Sequence, residues 1–269
     1  MTGADVRSCS YVDLIALVSE SNEPPGGIGS VARLVRHWPR SCRTGLDIGC
    51  NTGAVTLELA SLADASVMGI DLSKPMIEAA RARARRIATR NDVTFRVADA
   101  RHLPVADESF DFVFSGGSTA FVDDRLQATR EYARVIRPGG VLSELHFYYR
   151  THPPDALMRD LRRILGFDIP AWGREDWLRL HEGLPFTSLH LIDEAAEPQH
   201  CPVAEYVGSL VANASLDREI EHIVRERLIE CFEVFAENNK YLGVLGTVLL
   251  KRVGGPSLHL FRHAQREVS

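Results

Sequence analysis

Three carboxylates stand where the chain has just finished a short apolar run, and their spacing suits one kind of ligand. The first opens the segment Asp47-Ile48-Gly49-Cys50-Asn51-Thr52-Gly53. Glycines there let the backbone turn tightly and approach a ligand at the carboxyl edge of a sheet. Asp71 follows eighteen residues after Gly53 and ends a second apolar run; a carboxylate at that place accepts from both hydroxyls of a ribose. Asp99 follows a third run, VTFRVADA, where it can accept from an exocyclic amine while the Ala100 N–H donates to a ring nitrogen. Together the three places describe a site for an adenosine-bearing ligand.

The glycine turn narrows the choice. A nicotinamide dinucleotide calls for G-x-G-x-x-G, whose backbone approaches a pyrophosphate, whereas this chain reads G-C-N-T-G over residues 49–53. Asp47 beside a pyrophosphate would be repelled. Beside a ligand that is cationic at that point, such as a sulfonium with a free amino group, it is favourable. Asn51 fits the turn, because asparagine tolerates a left-handed backbone better than other residues with a side chain.

The elements that must position these acids follow a rhythm. Residues 44–49, 66–71, 93–98, 110–114 and 141–148 read as strands, and residues 54–62, a segment from Ser73 with Pro75 in its first turn, and 126–136 read as helices. Pro138-Gly139-Gly140 stops the last of these helices. Alternating strands and helices imply a parallel sheet covered on both faces. Residues 11–19 and a second piece ending at Trp38 read as N-terminal helices separated by a Pro-Gly turn, a 1–41 segment expected to serve as a lid over the ligand. Beyond Tyr149 the pattern loosens into helical insertions at about 150–185 and 195–240, with strands at 186–192 and 241–253 and a tail at 254–269. Leu216, Ile220, Ile223, Val224, Leu228, Cys231, Phe232 and Phe235 form one apolar helical stripe that reads as core.

The segments GLDIGCNTG (45–53), VMGIDLSKPMIEAAR (67–81), VTFRVADARHLPVADESFDFVFSGG (93–117) and EYARVIRPGGVL (131–142) resemble the class I S-adenosylmethionine-dependent methyltransferases, in particular the branch acting on small molecules. The resemblance runs from Cys42 to Tyr148 and more weakly into GTVLLKRV near the end. It implies an α/β, Rossmann-like, seven-stranded, mostly parallel sheet with the last strand antiparallel, the N-terminal helices and insertions forming a cap. It implies S-adenosylmethionine as cofactor and S-adenosylhomocysteine as product. Asp47 and Gly49, in the turn with Cys50, Asn51 and Gly53, would lie near the methionine moiety, and Asp71 on the ribose. Leu72 would lie against the adenine face, Asp99 and Ala100 on its edge, and Ser115 near the cofactor amino group. The family commonly has glycine where this chain has Asn51.

On the acceptor side, the fourth strand ends Ser115-Gly116-Gly117-Ser118. It lacks the Asn/Asp-Pro-Pro-aromatic run that resembling enzymes use on nucleobase amines or amides. Glu144 and His146 are two apart on a strand, hence on one side of it, with Tyr148 next on that side. His146 is the candidate general base, Glu144 its orienting partner, and Glu144 and Tyr148 the candidate substrate contacts; a hydrogen-bonded core histidine is the competing reading of His146. His181, His190, Asp193 and His200 match no ligand spacing, so no metal is expected and they read as surface residues.

Composition agrees with a soluble enzyme of small molecules. With 45% hydrophobic and 25% charged residues the chain is neither disordered nor collagen-like, and a net charge of −5 gives no general attraction to nucleic acid. Arg81, Arg83, Arg85, Arg86 and Arg90 are expected on the solvated side of a helix whose core side carries Met76, Ala80, Ala84 and Ile87. Five irregularly spaced cysteines, no export signal and no apolar run of membrane length point to the cytoplasm; a homodimer stays open. The expected activity is methyl transfer to a nitrogen, oxygen or carbon of a small molecule. The alternative is a protein of the same fold that binds the cofactor but catalyses a non-methyl rearrangement or serves as a binding module.

Overall fold

The computed structural model describes residues 3–18, 23–87, 90–197, 201–214 and 216–253, so the expected tail and His200 lie outside the described residues. Seven strands form one sheet: β1 (Thr44–Ile48), β2 (Ser66–Asp71), β3 (Val93–Val97), β4 (Phe110–Gly116), β5 (Ile136–Tyr149), β6 (Phe186–Ala195) and β7 (Leu242–Lys251), in the order β3-β2-β1-β4-β5-β7-β6. The pairs among β1 to β5 are parallel, and β7 runs antiparallel to both its neighbours. This is the Rossmann-like sheet expected from the sequence.

Helices α4 (Ala54–Ala63), α5 (Lys74–Arg86) and α6 (Arg125–Val135) connect the first five strands. Their starts are chemically specified: Ser73 accepts from the Met76 N–H ahead of Pro75, and Asp124 accepts from the Gln127 N–H at 2.9 Å. Two apolar layers flank the sheet, one with Phe112, Phe114, Val141 and Leu145, the other with Leu46, Ile48, Val113, Tyr132 and Leu142.

The structure corrects several local expectations. Strand β5 begins at Ile136 and runs through Pro138-Gly139-Gly140; a register shift opposite Phe110/Phe112 absorbs the irregularity. Ile87, placed on the core side of its helix by periodicity, is 47% exposed because α5 ends at Arg86 and the backbone there is extended. Arg81 and Arg83 are not merely solvated. Arg81 donates to the Phe95 carbonyl at 2.8 Å, and Arg83 donates to the Thr52 carbonyl at 3.0 Å, so both tie α5 to the sheet and the glycine turn.

The residues outside this frame form a second core. Helices α1 (Gly3–Ser8) and α2 (Tyr11–Leu17) meet α7 (Asp155–Leu165), α9 (Val203–Ala212) and α10 (Arg218–Asn239) around Leu14, Ile15, Leu161, Val207 and Leu228. Of the apolar stripe, Ile223, Val224, Leu228 and Cys231 are buried here, at roughly 1.5–3 kcal/mol per large side chain, while Ile220, Phe232 and Phe235 are half-buried against them and Leu216 precedes α10. Helix α3 (Gly27–Val35) behaves differently from its N-terminal neighbours. Val31 and Leu34 are fully buried in the sheet's own layer, and Arg33 is paired with Glu194 on β6.

Candidate functional site

Strand order reverses between β1 and β4, and the carboxyl ends of such a pair leave a crevice outside the sheet. Pro24, Asp47, Gly49, Asn51, Phe114 and Gly116 line it. Gly49, Asn51 and Gly53 all have left-handed backbones, with φ of 67°, 52° and 81°. A Cβ on Gly49 would lie 2.2 Å from the Ser118 Cβ, so only glycine lets the turn after β1 close against the residues that follow β4. Ser118 completes that closure by donating to the Ile48 carbonyl at 2.6 Å.

Asp47 is 2% exposed, and the Thr56 hydroxyl donates to it at 2.6 Å. Among the described residues it has no ion-pair partner. Burial pushes its carboxyl up to about 7 against the Thr56 hydrogen bond, and the charge of Asp71 adds to the rise. A buried acid in this condition is relieved by a cation placed beside it. Asp71 is held differently. The Asn51 N–H donates to one of its oxygens at 3.0 Å and the Ser73 N–H to the other at 2.8 Å. Burial still raises its carboxyl above the usual range, against these backbone donors. Leu72, beside it, is a large apolar residue left 71% exposed at the crevice rim.

A second polar group lies on β5. Glu144 is wholly buried next to Ser115 of β4 in the sheet register, and His146 follows where β4 has already ended. Glu144 accepts from His181 Nε2 at 2.5 Å and faces His146 Nε2 at 3.6 Å. Burial alone would raise the Glu144 carboxyl, but the two histidines hold it well below the usual carboxylate range. Trp177, on α8 (Arg174–Arg179), stacks flat on His146 with ring centroids 4.1 Å apart and leaves it 1% exposed. Glu144 Oε1 and both His146 ring nitrogens have no hydrogen-bond partner among the described residues. Such atoms are costly unless something else engages them. Removing His181 strips a buried carboxylate of its closest partner, so His181→Leu is expected to cost about 3–5 kcal/mol. Adding Glu144→Gln to the same chain recovers most of that loss. The urea unfolding midpoints of the single and double variants measure both effects.

The chain matches a methyltransferase domain family over residues 46–143. It is 44% identical over 98 residues to methyltransferase GfsG of Streptomyces halstedii, a stretch covering 36% of this chain and only 35% of that protein. A longer match decides the assignment: the 27-O-demethylrifamycin SV methyltransferase of Amycolatopsis mediterranei (strain S699) is 32% identical over 210 residues, covering 76% of this chain and 75% of that enzyme. The chain belongs to the S-adenosylmethionine-dependent methyltransferases. The crystal structure of MccD protein superposes with a TM-score of 0.69 at 25% identity, covering 86% of this methyltransferase and all of that chain. S-adenosylmethionine is the cofactor of the family. The crevice of this methyltransferase suits it, with a buried acid lacking a cation, an anchored carboxylate and an exposed apolar rim.

The structure brings Asp47, Gly49, Cys50, Asn51, Gly53 and Asp71 together around the turn after β1, with Leu72 at the rim. Cys50 is a buried packing residue whose thiol is pushed well up by burial. The remaining expected residues are engaged elsewhere. Asp99 is bound by its near neighbour Arg101, whose Nη2 lies 2.7 Å away and whose hydrogen bond keeps the carboxyl below its ordinary value. Ala100 is half-buried beside it. The Ser115 hydroxyl is fully buried in a network with Ser118 at 3.0 Å and Thr119 at 2.9 Å. The Tyr148 hydroxyl donates to Asp193 at 2.5 Å, and its ring packs against Trp177, Leu180 and Leu245.

Two residues of the site were missed from the sequence or misread. The expectation that His181 is a surface residue is corrected, since its side chain is 9% exposed against Glu144. Nothing in the chain signalled a partner 37 positions away. Arg101 was overlooked, although its place two residues after Asp99 is a visible signal. His190 stacks on His37 at 3.6 Å and Asp193 pairs with Arg174. No metal-ligand cluster occurs among the described residues.

Proposed function

We propose that the protein methylates a hydroxyl oxygen of a small molecule, with Asp47, Gly49, Cys50, Asn51, Gly53, Asp71, Leu72, Asp99, Ala100 and Ser115 forming the cofactor side and Glu144, His146 and Tyr148 the acceptor side. The observation that carries the reading is the buried Asp47 without a cation at the switch point of the sheet. The choice of oxygen draws support from the relative that spans three quarters of both chains, whose name places its methyl on an oxygen.

When bound, S-adenosylmethionine supplies a methyl carbon made electrophilic by its sulfonium. The residues of the chain do the rest. Asp47 balances the positive charge of the ligand's amino end, and Asp71 accepts from the ribose hydroxyls while its own position is fixed by the Asn51 and Ser73 N–H groups. Leu72 covers one face of the adenine. Asp99 reaches the adenine edge by sharing or releasing Arg101. Ser115, with its hydroxyl committed, contributes through its backbone. His146 turns Nε2 toward Glu144 and uses Nδ1 to take the proton of the acceptor hydroxyl, a step typically worth 10²–10⁴ in rate. Trp177 covers His146, so acceptor entry draws α8 back. Tyr148 braces that wall through Asp193.

Among the residues expected to form the lid, Pro24 and Pro25 press against Gly116 and Gly117, where an added Cβ would sit 3.0 Å from each proline ring. We place the closing function in this turn and in α1 and α2, with α3 as a fixed part of the sheet layer. No helix among the described residues is long and apolar enough to cross a membrane. Five free cysteines suit a reducing compartment, and we place the enzyme in the cytoplasm, acting on small molecules rather than nucleic acid and as a monomer or homodimer.

Calorimetry with S-adenosylhomocysteine tests the cofactor side; absence of binding overturns the reading. Screening hydroxylated acceptors for S-adenosylhomocysteine release tests the reaction and separates it from a rearrangement that consumes no cofactor. On an acceptor found in this way, His146→Ala is expected to lower kcat by about 10²–10⁴ with little change in KM. Unchanged turnover removes His146 from the mechanism.

A further inference from the structure

Helix α6 opens on Arg125, directly after the turn that leaves β4. Its Nη2 donates to the Ala120 carbonyl at 2.7 Å, and its guanidinium lies 5.1 Å over the Trp172 ring. Its Nε is buried without a hydrogen-bond partner, and among the described residues no carboxylate lies within ion-pair distance. Asp123 acts on it only through space, and burial pushes the guanidinium below its ordinary value. This is unusual treatment for an arginine in a chain of net charge −5, where most half-buried cations have found an acid.

The surroundings place this cation at the acceptor wall. Trp172 meets Trp177 edge-on at 4.8 Å, and Trp177 is the ring that stacks on His146. A continuous line of contacts therefore joins Arg125 to the His146–Glu144 group. Phe121, next in the chain to the Ala120 whose carbonyl Arg125 holds, is 52% exposed and meets Phe167 edge-on at 5.4 Å. An exposed aromatic surface next to a desolvated, unpaired guanidinium suits a flat apolar molecule that carries negative charge at one end.

We propose that Arg125, Trp172 and Phe121 form an acceptor subsite that takes the anionic oxygen group of a flat, apolar acid. The inference deepens the methyltransferase reading: it names the chemical class of the acceptor and rests on the acceptor lying along this wall. The guanidinium supplies the charge and its free N–H groups the direction. Trp172 holds its plane, and Phe121 with Phe167 receives the apolar body.

The test uses the full chain saturated with S-adenosylhomocysteine, titrated calorimetrically with 2-naphthoate and with its neutral isostere 2-naphthamide. Naphthoate is expected to bind at least tenfold more tightly than the amide. Arg125→Gln is expected to bring the two affinities together by weakening naphthoate, and Arg125→Lys to keep part of the difference. Equal affinities in the unaltered protein, failure of naphthoate to bind, or a preference that survives Arg125→Gln each overturns the subsite. S-adenosylhomocysteine affinity serves as the separate control. Its retention in the variants shows an intact fold, whereas its absence in the unaltered protein sinks the methyltransferase assignment of the crevice instead.

Discussion

Asp71→Ala is expected to weaken S-adenosylhomocysteine binding by at least about a hundredfold. Two hydrogen bonds from ribose hydroxyls to a carboxylate are worth about 1.5–3 kcal/mol each, and a hundredfold corresponds to about 2.8 kcal/mol. The substitution also removes the acceptor for the Asn51 and Ser73 N–H groups. The glycine turn and the start of α5 then lose a shared anchor, so the affinity loss is accompanied by a lower melting temperature. Asp71→Asn keeps the size and one acceptor oxygen and should lose less on both counts. Calorimetry and thermal melting, run together, separate the ligand contact from the anchor. Affinity unchanged in Asp71→Ala takes this residue out of the cofactor site.

Asp47 makes a prediction of opposite character, in which the ligand repairs a defect. Its carboxyl is raised in the folded protein to about 7, from about 4 in an unfolded chain. Between those values the folded state holds the proton more tightly than the unfolded state does. Stability therefore falls as pH rises from about 4 to about 7, by up to about 4 kcal/mol from this group, and is flat above. A ligand cation beside Asp47 favours the ionised form, so binding below pH 7 is coupled to proton release. The melting-temperature rise produced by S-adenosylhomocysteine is expected to grow from pH 5.5 to pH 7.5. Asp47→Asn is expected to remove that pH dependence and to weaken binding at pH 7.5 by about tenfold or more. A ligand-induced shift independent of pH in the unaltered protein contradicts this account of the crevice.

The parallel half of the sheet and its glycine turn were legible from the sequence because their signals are local. Asp47 to Gly53 is one turn, Ser73 and Pro75 begin one helix, and each strand is a short apolar run beside a helix of matching period. The left-handed backbone of Asn51 followed from residue type alone. The surroundings of β5 were not legible because their contacts join residues far apart in the chain. His181 reaches Glu144 across 37 positions, and Arg33 reaches Glu194 across 161. The same limit explains Tyr148, whose partner Asp193 stands 45 positions away. Asp99 is a local case, because its partner Arg101 stands two residues further on and that pairing was open to view in the sequence. Ile87 shows a smaller failure of the same kind: the helical period was right, but the helix stopped one residue too soon to carry it inward.

The position of β7 has a consequence for the order in which this molecule can be assembled. Among the described strands it is synthesised last, is buried along eight of its ten residues, and is the one that links β6 to the sheet. The part of the sheet made of β1 to β4, with the whole glycine turn, is complete as a chain segment some 125 residues earlier. During synthesis the nucleoside half can therefore pair its strands while β5 still presents an open edge. That edge stays available to other chains until β7 arrives. The half of the sheet from β5 outward is therefore the last to pair, and the arrival of β7 moves the open edge from β5 out to β6.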